Sequence, residues 1–123
     1  MGLHESGEMY LETIHKLSRR IDGVRSIDVA KAMNFSKPSV SRAMSILKTD
    51  GMIEIDSAGF ITLTDRGLSI AEKVYERHTV LTMAFEALGI DSAKAEEDAC
   101  RVEHVISEET FNAIKNHLHN ISK

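Results

Sequence analysis

The chain of 123 residues has one cysteine, one proline, and no apolar run approaching the roughly 20 residues that a membrane-spanning helix needs. The lone Cys100 has no partner for an internal disulfide, and the opening stretch MGLHESGE lacks the basic start and apolar segment of a secretory signal. These absences argue against a disulfide-stapled scaffold and against a membrane protein. The expected home is a reducing cytoplasm, with no membrane partner and no small organic substrate. An excess of basic charge is also missing: the net charge is -4, which by itself speaks weakly against nucleic acid.

That charge is unevenly placed. Residues 1–66 carry nine Lys plus Arg and nine Asp plus Glu, whereas residues 67–123 carry six against ten and supply the whole deficit. Within the neutral half, residues 25–48 hold Arg25, Lys31, Lys37, Arg42 and Lys48 against Asp28 alone. A local cationic segment matters more than overall charge when the partner is a phosphate backbone. With 42% hydrophobic and 28% charged residues the composition is that of a soluble globular protein. The length suits one compact core, or a small domain with a dimerising arm, but not two full-size domains.

Met9, Tyr10, Ile14 and Leu17 recur at helical spacing and end at Asp22-Gly23, predicting a first helix. A second, short helix carries Ile27, Ala30 and Met33 behind a Ser26 cap and stops at Asn34. In SKPSVSRAMSILKTDG, Ser36 can cap, Pro38 sits in the first turn where its missing N–H costs little, and Gly51 closes the helix. The second and third helices make a helix-turn-helix. MIEIDSAGFITLT then alternates apolar and polar residues on both sides of Ser57-Ala58-Gly59, which predicts a hairpin and makes the unit a winged helix.

Val40, Met44 and Leu47 form the inward stripe of the third helix, leaving Lys37, Ser39, Ser41, Arg42, Ser45 and Lys48 outward. Small hydroxyl residues and one arginine let a helix sit deep in the major groove, and flanking lysines can hold phosphates. The plainer reading is a solvated helix face; the hairpin and the charge contrast favour double-stranded DNA. From a Thr64 cap a long helix is expected to run to Gly89, its apolar positions including Leu68, Ala71, Val74, Leu81, Ala84, Phe85 and Leu88. Two more follow in SAKAEEDACRVEHVI and SEETFNAIKNHLHN, the last capped by Ser107 with Glu108 and Glu109 near the positive end of its dipole. So small a helical remainder has too little core for independence, and a homodimer is expected.

Cys100, Glu103 and His104 stand at i, i+3 and i+4 of a helix, within an arc of about 100° at roughly 100° per residue. A thiolate, a carboxylate and an imidazole on one face form an incomplete coordination sphere. The alternative is a small buried cysteine beside an ordinary Glu-His pair. Nothing else suggests a substrate pocket for Cys100 and His104 as nucleophile and base, so no enzyme is expected. His4, His15, His117 and His119 read as surface residues, the last two close enough to bind metal opportunistically.

SGEMYLETIHKL, SKPSVSRAMSILKTDGMI, LTDRG, YERH and DACRVEHVIS resemble, in order and over almost the whole chain, the diphtheria toxin repressor family. The resemblance implies a homodimeric, mainly α winged helix-turn-helix protein with a small β-hairpin. Residues 1–70 would bind DNA and residues 71–123 would bind metal and dimerise. Members of this family bind operator DNA when loaded with ferrous iron or manganese and repress metal-uptake genes. The alternative is a constitutive, metal-independent winged-helix regulator.

By resemblance Met9, Cys100, Glu103 and His104 are the principal metal ligands, and His78 belongs to a neighbouring or shared site. In the manganese-responsive branch an aspartate replaces Met9, a glutamate replaces Cys100, and a glutamate at the position of Glu12 also binds. This chain has the Met and Cys of the iron branch and retains Glu12. Soft donors favour Fe2+ over Mn2+, with Zn2+, Co2+ or Ni2+ able to substitute in vitro. The iron branch's ancillary site pairs a histidine with a glutamate and a second histidine, at whose places Thr82 and Glu96 stand. The SH3-like domain of longer relatives is not expected. At the DNA face, the resemblance carries Ser36, Pro38 and Arg42 onto base-contacting positions, and the cationic segment adds Arg25, Lys37 and Lys48 with Ser39, Ser41 and Ser45 between them. Arg42 replaces the glutamine of the best-known member, and arginine favours guanine.

Overall fold

The computed structural model describes residues 5–121, so His4 lies outside the described residues. In chain order the elements are α1 (Glu5–Ser18), α2 (Ser26–Met33), α3 (Lys37–Thr49), β1 (Ile53–Ile55), β2 (Ile61–Leu63), α4 (Asp65–Ala87), α5 (Ser92–Val102) and α6 (Glu108–Ile121). The fold is mainly α with one antiparallel hairpin, as the sequence predicted. Two compact units divide within α4, between Glu72 and Lys73.

The first unit is a winged helix-turn-helix. Leu11 and Ile14 of α1, Val29 and Ala30 of α2, Val40, Met44 and Leu47 of α3, and Met52, Ile53 and Ile61 of the wing share one buried core. The predicted stripe of α3 is therefore the buried one. Ser36 caps α3 by accepting from the Ser39 N–H, and Asn34 ends α2 in the left-handed conformation. Ser26 is not the cap of α2: Arg25 holds that position, and its free N–H donates to the Asp28 carboxylate at 2.9 Å. The Asp28 carboxylate thus reaches back from the third helical position to the N–H of the cap residue, the return half of a capping box.

His15 is likewise not a surface residue. It lies four residues after Leu11 on the inner face of α1 and is 8% exposed. Burial, with Arg19 beside it, lowers its pKa against an opposing pull from Glu72. The Arg19 guanidinium can only donate, so its 3.4 Å approach to His15 Nε2 fixes that nitrogen as the acceptor of a neutral ring.

The wing pairs Ile53 with Leu63, Glu54 with Thr62 and Ile55 with Ile61, and Val24 adds a bridge to Ile61. At its tip the Asp56 carboxylate accepts from the Ala58 and Phe60 N–H groups at 2.9 Å each. Phe60 turns back against residues 23–25. The Arg25 guanidinium lies 4.4 Å from its ring centroid, and a Cβ on Gly23, which has φ +126°, would come within 2.7 Å of the ring. The first helix was expected to end at Asp22-Gly23 but ends at Ser18; Gly23 instead seats the wing.

Thr64 caps α4 as expected, accepting from the Gly67 N–H at 3.2 Å while donating to the Gly51 carbonyl at 2.7 Å. Behind it, a Cβ on Gly67 would sit 2.0 Å from the Met52 carbonyl oxygen, and a backbone atom cannot swing aside. Gly67→Ala is expected to destabilise the first unit by about 1–3 kcal/mol, the usual cost of overpacking. Thermal unfolding followed by circular dichroism checks this; an unchanged melting temperature would show that the α4 entry relaxes freely.

In the second unit Val74 and Leu81 of α4, Ala95 and Ala99 of α5 and Phe111 of α6 are buried. Alanines at the buried positions of α5 let its backbone approach closely. Met83, Leu88, Val105 and Ile121 stay exposed on the single chain, Leu88 at 78%. The apolar pattern expected along α4 is therefore only partly satisfied within one copy.

Candidate metal centre and DNA-reading face

The polar centre of the second unit is built from α4 and the end of α5. The α5 helix was expected to run through His104, but it ends at Val102, with Glu103 as its cap and His104 in the turn beyond. Arg77 braces that turn. Its Nη1 donates to the Glu103 carbonyl at 3.2 Å and the Ile106 carbonyl at 2.9 Å, holding the segment in a turn, and its guanidinium lies 5.6 Å from the Phe111 ring centroid. Ser107, as expected, then caps α6 by accepting from the Thr110 N–H.

Glu103 is completely buried at 0% exposure, and its two oxygens face two histidines. Oε2 lies 2.8 Å from His78 Nδ1 and Oε1 lies 3.2 Å from His104 Nε2. An ionised carboxylate only accepts, so beside it His78 carries a proton on Nδ1. Its Nε2 faces the Glu96 carboxylate at 3.7 Å. The Cys100 thiol, exposed one helical turn before Glu103, completes a group with His78 and Glu103 whose ligand atoms lie within 4.8 Å of one another.

Helical spacing alone grouped Cys100 with Glu103 and His104. The structure brings His78 to Cys100 and Glu103, while His104 stands at the other oxygen of Glu103. His78 reaches the group from a separate helix, so no local spacing could have paired it; only the resemblance did. At the ancillary positions, the Thr82 hydroxyl is committed to the His78 carbonyl at 2.7 Å, and Glu96 faces His78.

The residues fit a metal ion. Glu103 Oε1 is buried without a hydrogen bond, and such an oxygen is costly unless a cation meets it. Bonds of about 2.0–2.3 Å keep ligand atoms within about 4.5 Å of one another, a few tenths of an ångström from the observed spread. An imidazole whose Nδ1–H is fixed by a carboxylate presents Nε2 in one orientation. In the first unit Met9 is 39% exposed and Glu12 is buried, its Oε2 lying 3.8 Å from Lys16 Nζ.

On α3, Lys37, Pro38, Ser41, Arg42, Ser45 and Lys48 are exposed, as is the Ser36 cap, while Ser39 is half-buried. Ser36 donates its hydroxyl proton to Ser39 Oγ at 2.8 Å, so both hydroxyls serve the helix start before any DNA arrives. Arg25 is exposed, its guanidinium 4.4 Å from the Phe60 ring centroid.

These features define a winged-helix DNA-binding protein that carries a candidate metal centre. Residues 2–58 match the model of the iron dependent repressor N-terminal DNA binding domain, and residues 64–123 match that of the iron dependent repressor metal binding and dimerisation domain. The transcriptional regulator MntR of Escherichia coli O6:H1 is 33% identical over 106 residues, covering 86% of this chain and 68% of that one. The diphtheria toxin repressor of Corynebacterium diphtheriae is 29% identical over 124 residues, 98% of this chain and 54% of its own length. A solved manganese-dependent transcriptional repressor in complex with manganese superposes with a TM-score of 0.83 at 24% identity, covering 92% of this chain and 52% of that one. The chain thus spans about half the length of some relatives and two thirds of others. It belongs to the iron-dependent repressor family, the diphtheria toxin repressor family of metal-sensing transcriptional repressors. Among the described residues no helix is long and apolar enough to cross a membrane.

Proposed function

We propose that this chain is a ferrous-iron-responsive repressor of metal-uptake genes, with manganese as the alternative effector. The observation that carries the metal reading is the buried Glu103 carboxylate, held between His78 and His104 with Cys100 alongside. Cys100, Glu103, His104 and His78 would hold the ion, and Met9 and Glu12 of α1 would supply further ligands. A thioether and a thiolate among the donors suit Fe2+ better than Mn2+. When bound, a metal would supply positive charge to the buried carboxylates.

Arg25, Lys37 and Lys48 would hold phosphates, and Ser36, Pro38, Ser39, Ser41, Arg42 and Ser45 would face the groove. A homodimer would present two such faces about one helical turn of DNA apart. The exposed Met83, Leu88, Val105 and Ile121 support a partner for the second unit, since large apolar surface on a single copy marks an interaction site.

Cobalt tests the ligand set directly. Reduced protein titrated with Co2+ is expected to develop a near-ultraviolet thiolate-to-cobalt charge-transfer band that Cys100→Ala abolishes. The same substitution is expected to weaken Fe2+ binding more than Mn2+ binding. An identical cobalt spectrum in the mutant would remove Cys100 from the site.

A further inference from the structure

Ile46 is 62% exposed on a recognition helix whose Val40, Met44 and Leu47 face the core. It lies one turn after Arg42, and at about 100° per residue it falls on the same flank, beside the outermost line of Pro38, Arg42, Ser45 and Thr49. The polar neighbours are less free than their types suggest. The Thr49 hydroxyl donates back to the Ser45 carbonyl at 3.0 Å, and the Ser36 and Ser39 hydroxyls are joined at the helix start. An aliphatic side chain left in water beside Arg42 is poorly matched to a solvated face and well matched to a groove floor that carries methyl groups.

We propose that Ile46 is a specificity-determining residue that reads a thymine C5-methyl group next to the guanine read by Arg42. This rests on the DNA-binding function proposed above. Arg42, one turn back on the same flank, makes its immediate surroundings complementary to DNA rather than to an apolar protein surface, whereas Lys37 and Lys48 lie on the opposite side of the helix. Thymine's methyl is the one apolar group on the major-groove base edges, and side chains without polar atoms select it. One helical turn advances about 5.4 Å along the groove, against about 3.4 Å per base pair. The thymine therefore lies one or two base pairs from the guanine.

Full-length, metal-loaded protein is used to select binding sites from random duplex DNA. Each thymine of the selected half-site is then replaced singly by deoxyuridine, which removes only the methyl. Wild type is expected to lose affinity about fourfold at one position beside the guanine, the ~0.8 kcal/mol of one buried carbon group. Ile46→Ala is expected to bind the unmodified site about as weakly and to ignore that deoxyuridine, while remaining dimeric and equally stable. If no deoxyuridine weakens the wild type, or if Ile46→Ala loses equally on both duplexes, the proposal fails although DNA binding stands. Loss of the dimer in Ile46→Ala would instead place Ile46 at a protein contact and overturn it. If the loaded wild type selects no DNA, the functional reading falls and takes this inference with it.

Discussion

Glu103→Gln is expected to lower metal affinity by more than about a hundredfold while leaving the metal-free protein at least as stable as the wild type. The two effects have opposite signs because one group causes both. Without metal, the wild type buries a carboxylate whose Oε1 lacks a hydrogen bond, and burying such charge is costly. The amide of glutamine removes the charge, and its oxygen can still accept from His78 Nδ1–H in the place of Oε2. With metal, the charge becomes the main attraction. Groups that merely orient ligands are worth about tenfold to a hundredfold in affinity, so a direct anionic ligand is worth more. Competition against a fluorescent chelator measures the affinity, and thermal melts with and without Co2+ measure the stability. Equal metal affinity in mutant and wild type would show that Glu103 is no ligand.

Arg42→Ala is expected to weaken operator binding about tenfold to a hundredfold and to relax selectivity at a single base pair. A bidentate arginine–guanine contact is worth about 1–3 kcal/mol, and Arg42 is exposed on the outer face of α3. Lys37→Ala supplies the contrast. If Lys37 holds a phosphate, its loss weakens every sequence alike and lowers the salt slope by about one, whereas Arg42→Ala changes which sequence is preferred. Site selection with each protein, followed by anisotropy at several salt concentrations, separates the two. An unchanged consensus for Arg42→Ala would remove that residue from base reading.

Where signals were local, the sequence was legible. The α3 cap at Ser36, its inner stripe and the alternation around residues 57–59 depend on neighbours within a few positions, and each stands where the pattern placed it. The α2 cap falls one residue earlier than its pattern suggests because the Asp28 carboxylate reaches back to the Arg25 N–H and starts the helix at Ser26. The length of α5 is not legible locally, because the turn that follows Val102 is braced by Arg77 from another helix. His15 was misjudged because its residue type outweighed its place four residues after Leu11.

The candidate site divides along the same line. Cys100 and Glu103 were visible as a helical face, but their meeting with His78 depends on how α4 lies against α5. Gly67 had no legible role, since the Met52 carbonyl that demands its missing Cβ arrives from 15 positions earlier in the chain. Ile46 was passed over because an apolar residue on a helix is expected to be buried, and exposure is a property of the folded chain alone.

The most direct test of metal-gated repression is an anaerobic titration of the reduced protein with ferrous iron and with manganese. Binding to a promoter fragment is followed by anisotropy at fixed salt, beside a chelated control. Metal is expected to tighten operator binding by roughly 5-fold to 150-fold, the coupling of about 1–3 kcal/mol usual between two linked sites. Equal affinity for chelated and loaded protein would contradict the account and leave a constitutive winged-helix DNA binder in its place.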